Sequence, residues 1–457
     1  MIFDVILPGV LLLGILVFLH ESGHFLVAKL LKVPVFRFSL GFGPALVHFK
    51  RGETTYQVSA LPLGGYVSMA EERLNAEGQP ELVDRFSEEP WWKRVVIALA
   101  GPAANFVTGF IALIITAVVG VSVPDYDTVL GPVPATAPAT AYGLVGGARL
   151  DAVEGQPVSS FQDFLAKAGR VPMSQPLHLT IESPAGVKSE AVLPAAERRK
   201  VFDDLVPPEA ESVIGSVVVG TPAYLSGLQP GDRIREISGH PVARWSELTD
   251  LVSKSPGKPL DFLVVRGTSE FHVSITPQSP PTKDAWQGGR IGVEAPRGRT
   301  FLVRSTFGEA LHDAWPLSMA ISKQTFLGLF AVFTRPLESA SSLGGPQMIM
   351  QIAGANAKRG AGDFIYILAV ISFAIMAFNL LPLPVLDGGH VFLAAVEAIR
   401  RRPPSEWFTM VYQRVGLVLI GSFFVFVLYN DLSRSLQHRA AVQRNNHAPQ
   451  GEVSPAR

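Results

Sequence analysis

Two histidines and a glutamate lie close together in an apolar stretch near the start of the chain, in the sequence H-E-S-G-H. His20 and His24 are four positions apart, so on a helix both imidazoles project from one face and can reach the same cation. Glu21 projects about 100° away from His20, close enough to act on a water beside that cation without binding the cation itself. Ionisable groups in a membrane segment are costly and usually functional. The spacing therefore predicts a metal site, and histidines that only hydrogen-bond between helices remain the alternative.

A tetrahedral site that activates water needs a third protein ligand. The chain has no cysteine, which leaves His, Asp and Glu as the strong ligands. The stretch N-L-L-P-L-P-V-L-D-G-G-H contains Asp387 and His390, after an apolar run that Pro382 and Pro384 interrupt. Such breaks are tolerated in a membrane where they line a cavity or are buried in protein. We expect Asp387 to be the third ligand because it comes first after the apolar run, and His390 is the alternative.

The elements that must position these residues are predicted to be membrane helices. Of the 457 residues, 48% are hydrophobic and 17% are charged, and the formal net charge is zero. This balance favours membrane segments mixed with polar domains and does not indicate a nucleic-acid partner. Four apolar stretches are long enough to span a bilayer, at residues 5–28, 94–120, 364–386 and 411–429. We predict a polytopic α-helical membrane protein with about four transmembrane helices and two α+β domains inserted between the second and third.

The nature of residues 307–333 decides whether the predicted ligands can meet. His20 lies about 15 residues into the first span and Asp387 about 23 residues into the third, so at about 1.5 Å per residue both reach the same half of the bilayer if the two spans run in one direction. Another complete span between them would separate the ligands. We therefore interpret residues 307–333 as an amphipathic helix on the membrane surface, with its charged side chains towards water.

Loop charges predict the direction of the spans. Lys and Arg concentrate between the first two spans and again at residues 400–402, so both loops are expected to be cytoplasmic. The polar insert then lies on the other side, although arginines after the fourth span argue for the opposite direction of that helix. The predicted segments are transmembrane helix 1 at 1–29, a cytoplasmic or re-entrant β-hairpin region at 30–93, transmembrane helix 2 at 94–121, inserted domains at 122–205 and 206–280, a linker with the amphipathic helix at 281–363, transmembrane helix 3 at 364–390, a cytoplasmic loop at 391–410, transmembrane helix 4 at 411–431 and a polar, disordered tail at 432–457.

The polar insert contains a duplication. The segment AYGLVGGARLDAVEGQPV, from Ala141, aligns without a gap with LSGLQPGDRIREISGHPV, from Leu225. Such a register over a repeat of domain length indicates two copies of one small α+β domain. The second copy is similar to PDZ domains, and the first departs from that pattern at Ala148, where the second has Asp232. Similarity to PDZ domains implies peptide recognition by strand addition, and a structural spacer or lid that binds nothing tightly is the alternative.

Residues 36–69 form a further pattern, in which apolar and polar side chains alternate on both sides of the turn K-R-G-E-T. This pattern predicts a β-hairpin. Gly43 is one of four glycines in it that permit a close approach of the backbone.

Taken together, these motifs resemble those of the site-2 protease family of intramembrane zinc metalloproteases, peptidase family M50. The resemblance rests on H-E-S-G-H, on G-P-A-A-N at 101–105, on the tandem PDZ-like domains and on N-L-L-P-L-P-V-L-D-G-G, and it covers the chain up to about residue 429. It implies one Zn²⁺ per chain held by His20, His24 and Asp387, with Glu21 as general base and acid on the hydrolytic water. It further implies that the substrate contacts Asn379, Pro382, Pro384 and Gly43.

Alternatives to these implied roles remain for three features. An interhelical hydrogen bond is the alternative role of Asn379 and the preferred role of Asn105. In the family the hairpin enters the membrane beside the site and pairs with an extended substrate, because a transmembrane helix hides its amides until it is unwound. A plain cytoplasmic hairpin is the alternative for residues 36–69.

The resemblance also implies a biological role. The expected substrates are single-pass membrane proteins, such as an anti-sigma factor already trimmed by a first protease, or remnant signal peptides, cut by regulated intramembrane proteolysis in an envelope stress response. The expected location is the bacterial inner membrane, with the active site towards the cytoplasm and the PDZ-like domains in the periplasm, where they contact the substrate's stub. The other partner is the lipid bilayer.

Two other classes of protein would also use histidines in membrane helices. A zinc transporter would have paired sites along a path and no glutamate next to the first histidine. A membrane-anchored scaffold with an inactive metal site would need a broken motif, whereas His20, Glu21, His24 and Asp387 are all present.

Overall fold

The computed structural model describes residues 2–74, 80–205, 211–279, 288–296, 299–334 and 344–447. The chain divides into two compact units, one of Met1–Val121 with Val303–Ser433 and one of Ser122–Leu302 with Arg434–Arg457. The predicted boundaries at 205/206 and 280/281 and the end of the predicted tail adjoin or fall on residues outside the described ranges.

Helices predominate at both ends of the described chain, and most of the strands lie between them. The helices are α1 (Leu7–Leu30), α2 (Arg85–Glu88), α3 (Trp91–Val119), α4 (Phe161–Arg170), α5 (Arg198–Asp204), α6 (Pro222–Leu225), α7 (Trp245–Ser253), α8 (Phe307–Thr334), α9 (Pro346–Arg359), α10 (Ala361–Asn379), α11 (Asp387–Arg400) and α12 (Glu406–His447). The strands are β1 (Arg37–Arg51), β2 (Thr54–Ser68), β3 (Ala70–Leu74), β4 (Pro80–Asp84), β5 (Val121–Asp125), β6 (Arg149–Val153), β7 (Gln156–Pro157), β8 (Leu177–Glu182), β9 (Lys188–Leu193), β10 (Ser216–Val217), β11 (Arg233–Ile237), β12 (His240–Pro241), β13 (Leu260–Arg266), β14 (Ser269–Ile275), β15 (Val293–Glu294) and β16 (Arg299–Val303).

Four helices of the described chain are long and apolar enough to cross a membrane, in agreement with the predicted number. They are Phe3–Leu30, Trp91–Val119, Ala361–Asn379 and Glu406–Asn446. The third ends at Asn379 rather than at residue 386. Pro382 and Pro384 explain the early end, because proline has no amide hydrogen and disfavours helical conformation in the residue before it. The seven residues after Asn379 instead form the loop that leads to Asp387.

Helices α1, α3 and α10 pack against one another in the core of the first unit. Leu12, Leu16 and Phe373 are fully buried there. The backbones of α1 and α3 approach closely, since a Cβ on Gly23 would lie 2.4 Å from the carbonyl oxygen of Ala100. Small residues permit this kind of close packing between membrane helices. It brings the histidine-bearing face of α1 against α3.

Helix α8 covers the range predicted for the amphipathic helix, and its placement on the membrane surface stays a prediction. The ring of Trp315 lies 6.1 Å from the rings of Phe106 and Phe110, and both phenylalanines are in the middle of α3. Ala314 and Ser318 are also buried. Small residues four apart on one face of α8 let this helix pack beside α3. Helix α8 is not among the four candidate spans.

Strands β1 and β2 form the predicted hairpin. Its turn contains Gly52, which has a left-handed backbone with φ of 63°. The end of β2 pairs with the start of β1, with Gly65 opposite Leu40 and Ser68 opposite Arg37. This pairing uses one edge of residues 65–68 and leaves the other edge directed away from β1.

The second unit contains two sheets with the same strand order. One is β7-β6-β8-β9 and the other is β12-β11-β13-β14. The pairing of Leu150 with Ile181 in the first corresponds to that of Ile234 with Val264 in the second. The structure thus contains the duplicated arrangement that the sequence indicated. We call β6–β9 with α4 and α5 the first β-domain, and β10–β15 with α6 and α7 the second β-domain.

Helix α12 corrects the prediction of a disordered tail from residue 432, because it continues to His447. One side of its last part is buried, and Ala441 and Asn445 are each 5% exposed. A polar composition predicts disorder when no packing partner is known. Here the partner is a surface of the second β-domain, which lies much earlier in the chain.

Candidate metal centre

Helix α1 presents His20 and His24 side by side towards α3. Each is 8% exposed, and their Nε2 atoms are 3.3 Å apart. The ring planes are nearly perpendicular, at 85°. The four-residue spacing on a regular helix therefore directs both nitrogens to one point, as the sequence pattern predicted.

Asp387 reaches the same point from the first residue of α11. Its Oδ2 lies 3.2 Å from Nε2 of His20, and its Oδ1 lies 3.3 Å from Nε2 of His24. Within the described ranges, these three residues are the group of His, Asp and Glu side chains that could hold a metal ion. The loop before α11 bends tightly and brings the carboxylate to this point. The bend needs a glycine, because a Cβ on Gly388 would lie only 2.3 Å from the carbonyl oxygen of Leu381.

The spacing of the three side chains fits a tetrahedral cation. The nitrogens and the nearer carboxylate oxygens are 3.2 to 3.3 Å apart, and atoms bound to zinc at about 2.0–2.1 Å in a tetrahedral arrangement are separated by about 3.3 Å. Oδ2 of Asp387 is buried without a hydrogen-bond partner among the described residues. A cation bound by the three side chains would give Oδ2 a partner and would keep its fourth coordination position for water.

Helix α3 holds the second nitrogen of each imidazole. Nδ1 of His24 lies 2.7 Å from the carbonyl oxygen of Ile97. A carbonyl only accepts, so Nδ1–H donates and the Nε2 lone pair is free for a metal. Nδ1 of His20 lies 3.1 Å from the amide of Asn105, whose Oδ1 has no partner among the described residues. A half-turn of that amide lets Oδ1 accept from Nδ1–H of His20, which gives both histidines the same tautomer.

Gly101 provides the space that the two imidazoles occupy. A Cβ at this position would lie 2.2 Å from Nε2 of His24 and 2.7 Å from Cε1 of His20. Gly101 and Asn105 are four residues apart and face α1 together. The sequence interpretation gave Gly101 no role and assigned Asn105 to a plain interhelical bond. The sequence does contain a signal for this role. Gly101 and Asn105 of G-P-A-A-N are four positions apart, as His20 and His24 are on α1.

A cavity of about 450 Å³ opens beside the three side chains. Glu21 lines it together with residues 65–68 of β2. Gly65 allows β2 to come this close, because a Cβ there would lie 3.0 Å from Cγ of Glu21. The edge of β2 that is directed away from β1 therefore runs along the same space that contains Glu21.

Two other predicted residues lie at this cavity. Nδ2 of Asn379 is 3.5 Å from Nε2 of His20. His390, the alternative ligand, lines the cavity but is not part of the group that converges at Asp387.

The remaining predicted substrate contacts lie farther from the centre. The carbonyl oxygen of Pro382 accepts a hydrogen bond of 3.1 Å from the hydroxyl of Tyr412. Pro384 packs against Gly416 of α12. Gly43 has φ of 85° within β1, and the cavity wall is formed by residues 65–68 of β2 instead.

Comparison with known proteins assigns the chain to a family. The model of Peptidase family M50 matches residues 8–423. The regulator of sigma-E protease RseP of Escherichia coli (strain K12) is 31% identical over 443 residues, covering 92% of this chain and 97% of that protein. The protease RseP of Yersinia pestis is 31% identical with the same coverage, and a Neisseria meningitidis protein named for an inferred zinc metalloprotease activity is 30% identical, again covering 92% and 97%. The match contains α1 with its two histidines and α11 with Asp387, and the chain therefore belongs to peptidase family M50.

Proposed function

We propose that the protein is an intramembrane zinc metalloprotease that hydrolyses peptide bonds within transmembrane segments of single-pass membrane proteins. The observation that carries this proposal is the meeting of His20, His24 and Asp387 among apolar helices, with Glu21 in the adjoining cavity. The family match and the names of the relatives support the same activity.

The three converging side chains would hold Zn²⁺. When bound, the metal lowers the pKa of a water towards neutrality and polarises the carbonyl of the bond to be cut. The hydrogen bonds of Asn105 and of the Ile97 carbonyl hold both imidazoles with Nε2 towards the site. These partners keep the ligands in place before substrate arrives.

Glu21 performs the proton transfers in this proposal. It takes a proton from the attacking water and returns one to the leaving amine. His20 and His24 beside it on α1 would hold the metal, while the side chain of Glu21 lines the cavity and lies outside the ligand group. The amide of Asn379, 3.5 Å from Nε2 of His20, would donate a hydrogen bond to the developing oxyanion.

The edge of β2 is the proposed binding site for the unwound substrate backbone. A transmembrane helix satisfies its own amides and must lose those bonds before water can attack. Residues 65–68 offer new partners beside Glu21, so the freed amides need not remain unsatisfied in an apolar environment. We also assign Gly43, Pro382 and Pro384 to the path by which substrate enters this site.

The substrate class and the location are further parts of the proposal. The substrates are an anti-sigma factor already trimmed by a first protease, or remnant signal peptides, in the bacterial inner membrane. The two β-domains, which we interpret as PDZ-like and periplasmic, admit trimmed stubs and exclude bulky outer domains. The relatives named as regulators of sigma-E protease support this choice of substrate.

A hydrolase agrees better with the site than a transporter does. Within the described residues the structure contains one group of side chains that could hold a metal, whereas a transporter needs successive sites along its path. Glu21 next to the first histidine is needed for hydrolysis and not for transport.

The experiment that tests the function is cleavage of a single-pass substrate in proteoliposomes, with the product termini identified by mass spectrometry. We expect new termini inside the transmembrane segment, loss of cleavage on zinc chelation and recovery on zinc addition. A substrate with its folded outer domain attached is the control and should be cut slowly. Cleavage only outside the membrane segment, or metal flux without cleavage, would contradict the proposal.

A further inference from the structure

The C-terminal part of α12 packs on the second β-domain. The family match ends at residue 423, so residues 434–446, which we call the C-terminal segment, lie beyond it. Nδ1–H of His438 donates a hydrogen bond of 2.7 Å to the carbonyl oxygen of Tyr224. The two rings also stack, with centroids 3.9 Å apart and planes within 8°. The segment thus contacts both the backbone and the side chain at the end of α6.

The closest approach is between backbones. Gly227 follows α6 with φ of 80°, and a Cβ on it would lie 2.8 Å from the carbonyl carbon of Ala441 and from the nitrogen of Val442. Ala441 is 5% exposed. A glycine facing an alanine lets a helix lie directly on the turn, and larger residues on either side would separate the two surfaces.

Polar side chains complete the contact on both sides of this glycine. Nδ2 of Asn445 donates to the carbonyl oxygen of Ser226 at 2.9 Å. The guanidinium of Arg266 donates to Oδ1 of Asn446 and to the carbonyl oxygen of Gly227, each at 2.8 Å. Asn445 is 5% exposed, so its hydrogen bond is shielded from water. The bond forms only when the C-terminal segment contacts the second β-domain.

An internal ion pair holds Arg266 in the position that the segment requires. Nε and one terminal nitrogen of Arg266 lie 2.7 Å from the two carboxylate oxygens of Asp232. Asp232 is 1% exposed. A bidentate pair of this kind fixes the plane of the guanidinium, and its remaining nitrogen is then directed to Asn446.

Comparison of the two β-domains shows that this surface belongs to one copy alone. In the aligned sequences Asp232 corresponds to Ala148. The matching strand pairs, Leu150 with Ile181 and Ile234 with Val264, make Ser183 the counterpart of Arg266. The first β-domain therefore has neither member of the ion pair. Since the fold is the same, the difference lies in the residues that contact the C-terminal segment.

We propose that the C-terminal segment is a built-in helical ligand of the second β-domain. Its binding surface consists of Tyr224, Ser226, Gly227 and Arg266, and we call it the tail-binding surface. The ligand that fits it is a helix with a small residue at its centre, a histidine three positions before and an asparagine four positions after. The segment occupies this surface within the same chain and so prevents another helix from binding there. The proposal does not depend on the proteolytic activity.

The test uses the absence of cysteine from the chain. Ser226→Cys and Val442→Cys, which leave Asn445 and its hydrogen bond in place, are combined in the full-length protein in membranes. The protein is treated with a short cysteine cross-linker, and joined peptides are quantified by mass spectrometry. We expect efficient cross-linking within one chain. Single-cysteine variants expressed together test for a link between two copies, and a link found only between copies would overturn the proposal.

A matched pair of alanines separates docking from general damage. Ala441→Leu places a larger side chain against Gly227, and Ala440→Leu makes the same change at the neighbouring exposed position. We expect the first to reduce the cross-linking yield at least tenfold and the second to leave it unchanged. Both substitutions are in the segment, so the second β-domain stays intact. Equal yields in the two variants, whether high or low, would overturn the proposal.

Discussion

Asn105 connects the second span to the metal-binding face of the first. Its side chain is fully buried, its amide contacts Nδ1 of His20, and its backbone oxygen accepts a hydrogen bond of 2.7 Å from the hydroxyl of Ser372 in α10. One residue therefore joins three helices and orients one ligand. Partners of metal-binding histidines determine which nitrogen is free for the metal.

Replacement of Asn105 by alanine should weaken zinc binding about 10- to 100-fold, because His20 loses the group that fixes its ring and tautomer. Competition with a chelator of known affinity measures the change. Ser372→Ala is the control, since it removes the bond to the Asn105 backbone and leaves the contact with His20. An affinity equal to that of the wild type in Asn105→Ala would show that His20 needs no such partner.

Replacement of Gly101 by alanine should abolish zinc binding. The added methyl group would lie 2.2 Å from Nε2 of His24, which forces the imidazole away from the site. Gly14→Ala, also in a membrane helix, has no atom within 4 Å of the new Cβ and should bind zinc normally. Zinc content of the two purified variants is the measurement, and a full zinc content in Gly101→Ala would contradict the geometry.

Arg198 holds the end of helix α4 in the first β-domain. It is completely buried and donates hydrogen bonds to four carbonyl oxygens, those of Ala168, Val171, Pro172 and Gln175. The last carbonyls of a helix have no partner within the helix. A cation there satisfies them and interacts favourably with the helix dipole.

Replacement of Arg198 by methionine should destabilise the first β-domain by about 3 kcal/mol, because four carbonyls, one of them on the buried Ala168, lose a charged donor. Hydrogen–deuterium exchange of the β8 amides in the full-length protein is the readout, and about 3 kcal/mol corresponds to exchange roughly 100-fold faster. Arg199→Met, at the exposed neighbouring position, should exchange like the wild type. Equal protection in both variants would show that the carbonyls are satisfied without Arg198.

The sequence predicted the elements better than it predicted their ends and contacts. Apolar length is enough to find the four spans, because the bilayer imposes that length. The end of α10 was placed too late because Pro382 and Pro384 were treated as part of an apolar run. The packing of α8 was missed because its contact face consists of small residues, among them Ala314 and Ser318, which carry little hydrophobic signal.

At the scale of the whole molecule, the candidate site joins segments from opposite ends of the chain. Depth along the predicted spans indicated that Asp387 would lie near His20 and His24, and the three residues do converge in the structure. The docking of the C-terminal segment could not be predicted in this way. It depends on Gly227 facing Ala441, and neither residue has a distinctive pattern around it.

Removal of the metal should lower the thermal stability of the whole membrane unit, because a bound ion would cross-link α1 to α11. At a free zinc concentration of 1,000 times the Kd, binding contributes about 4 kcal/mol. The Tm in detergent, measured with and without chelator, gives the effect. Asp387→Ala should have a Tm that does not respond to chelator, and a normal response in that variant would exclude Asp387 as a ligand.

The most direct test of the central claim compares Glu21→Gln with the wild-type protein, with zinc content and cleavage of a reconstituted transmembrane substrate measured on the same preparations. Glutamine keeps the shape of the side chain but cannot take a proton from water. We predict an unchanged zinc-to-protein ratio and a cleavage rate at least about 100-fold lower. Cleavage at the wild-type rate by the zinc-loaded variant would contradict the assignment of Glu21 and the mechanism built on it.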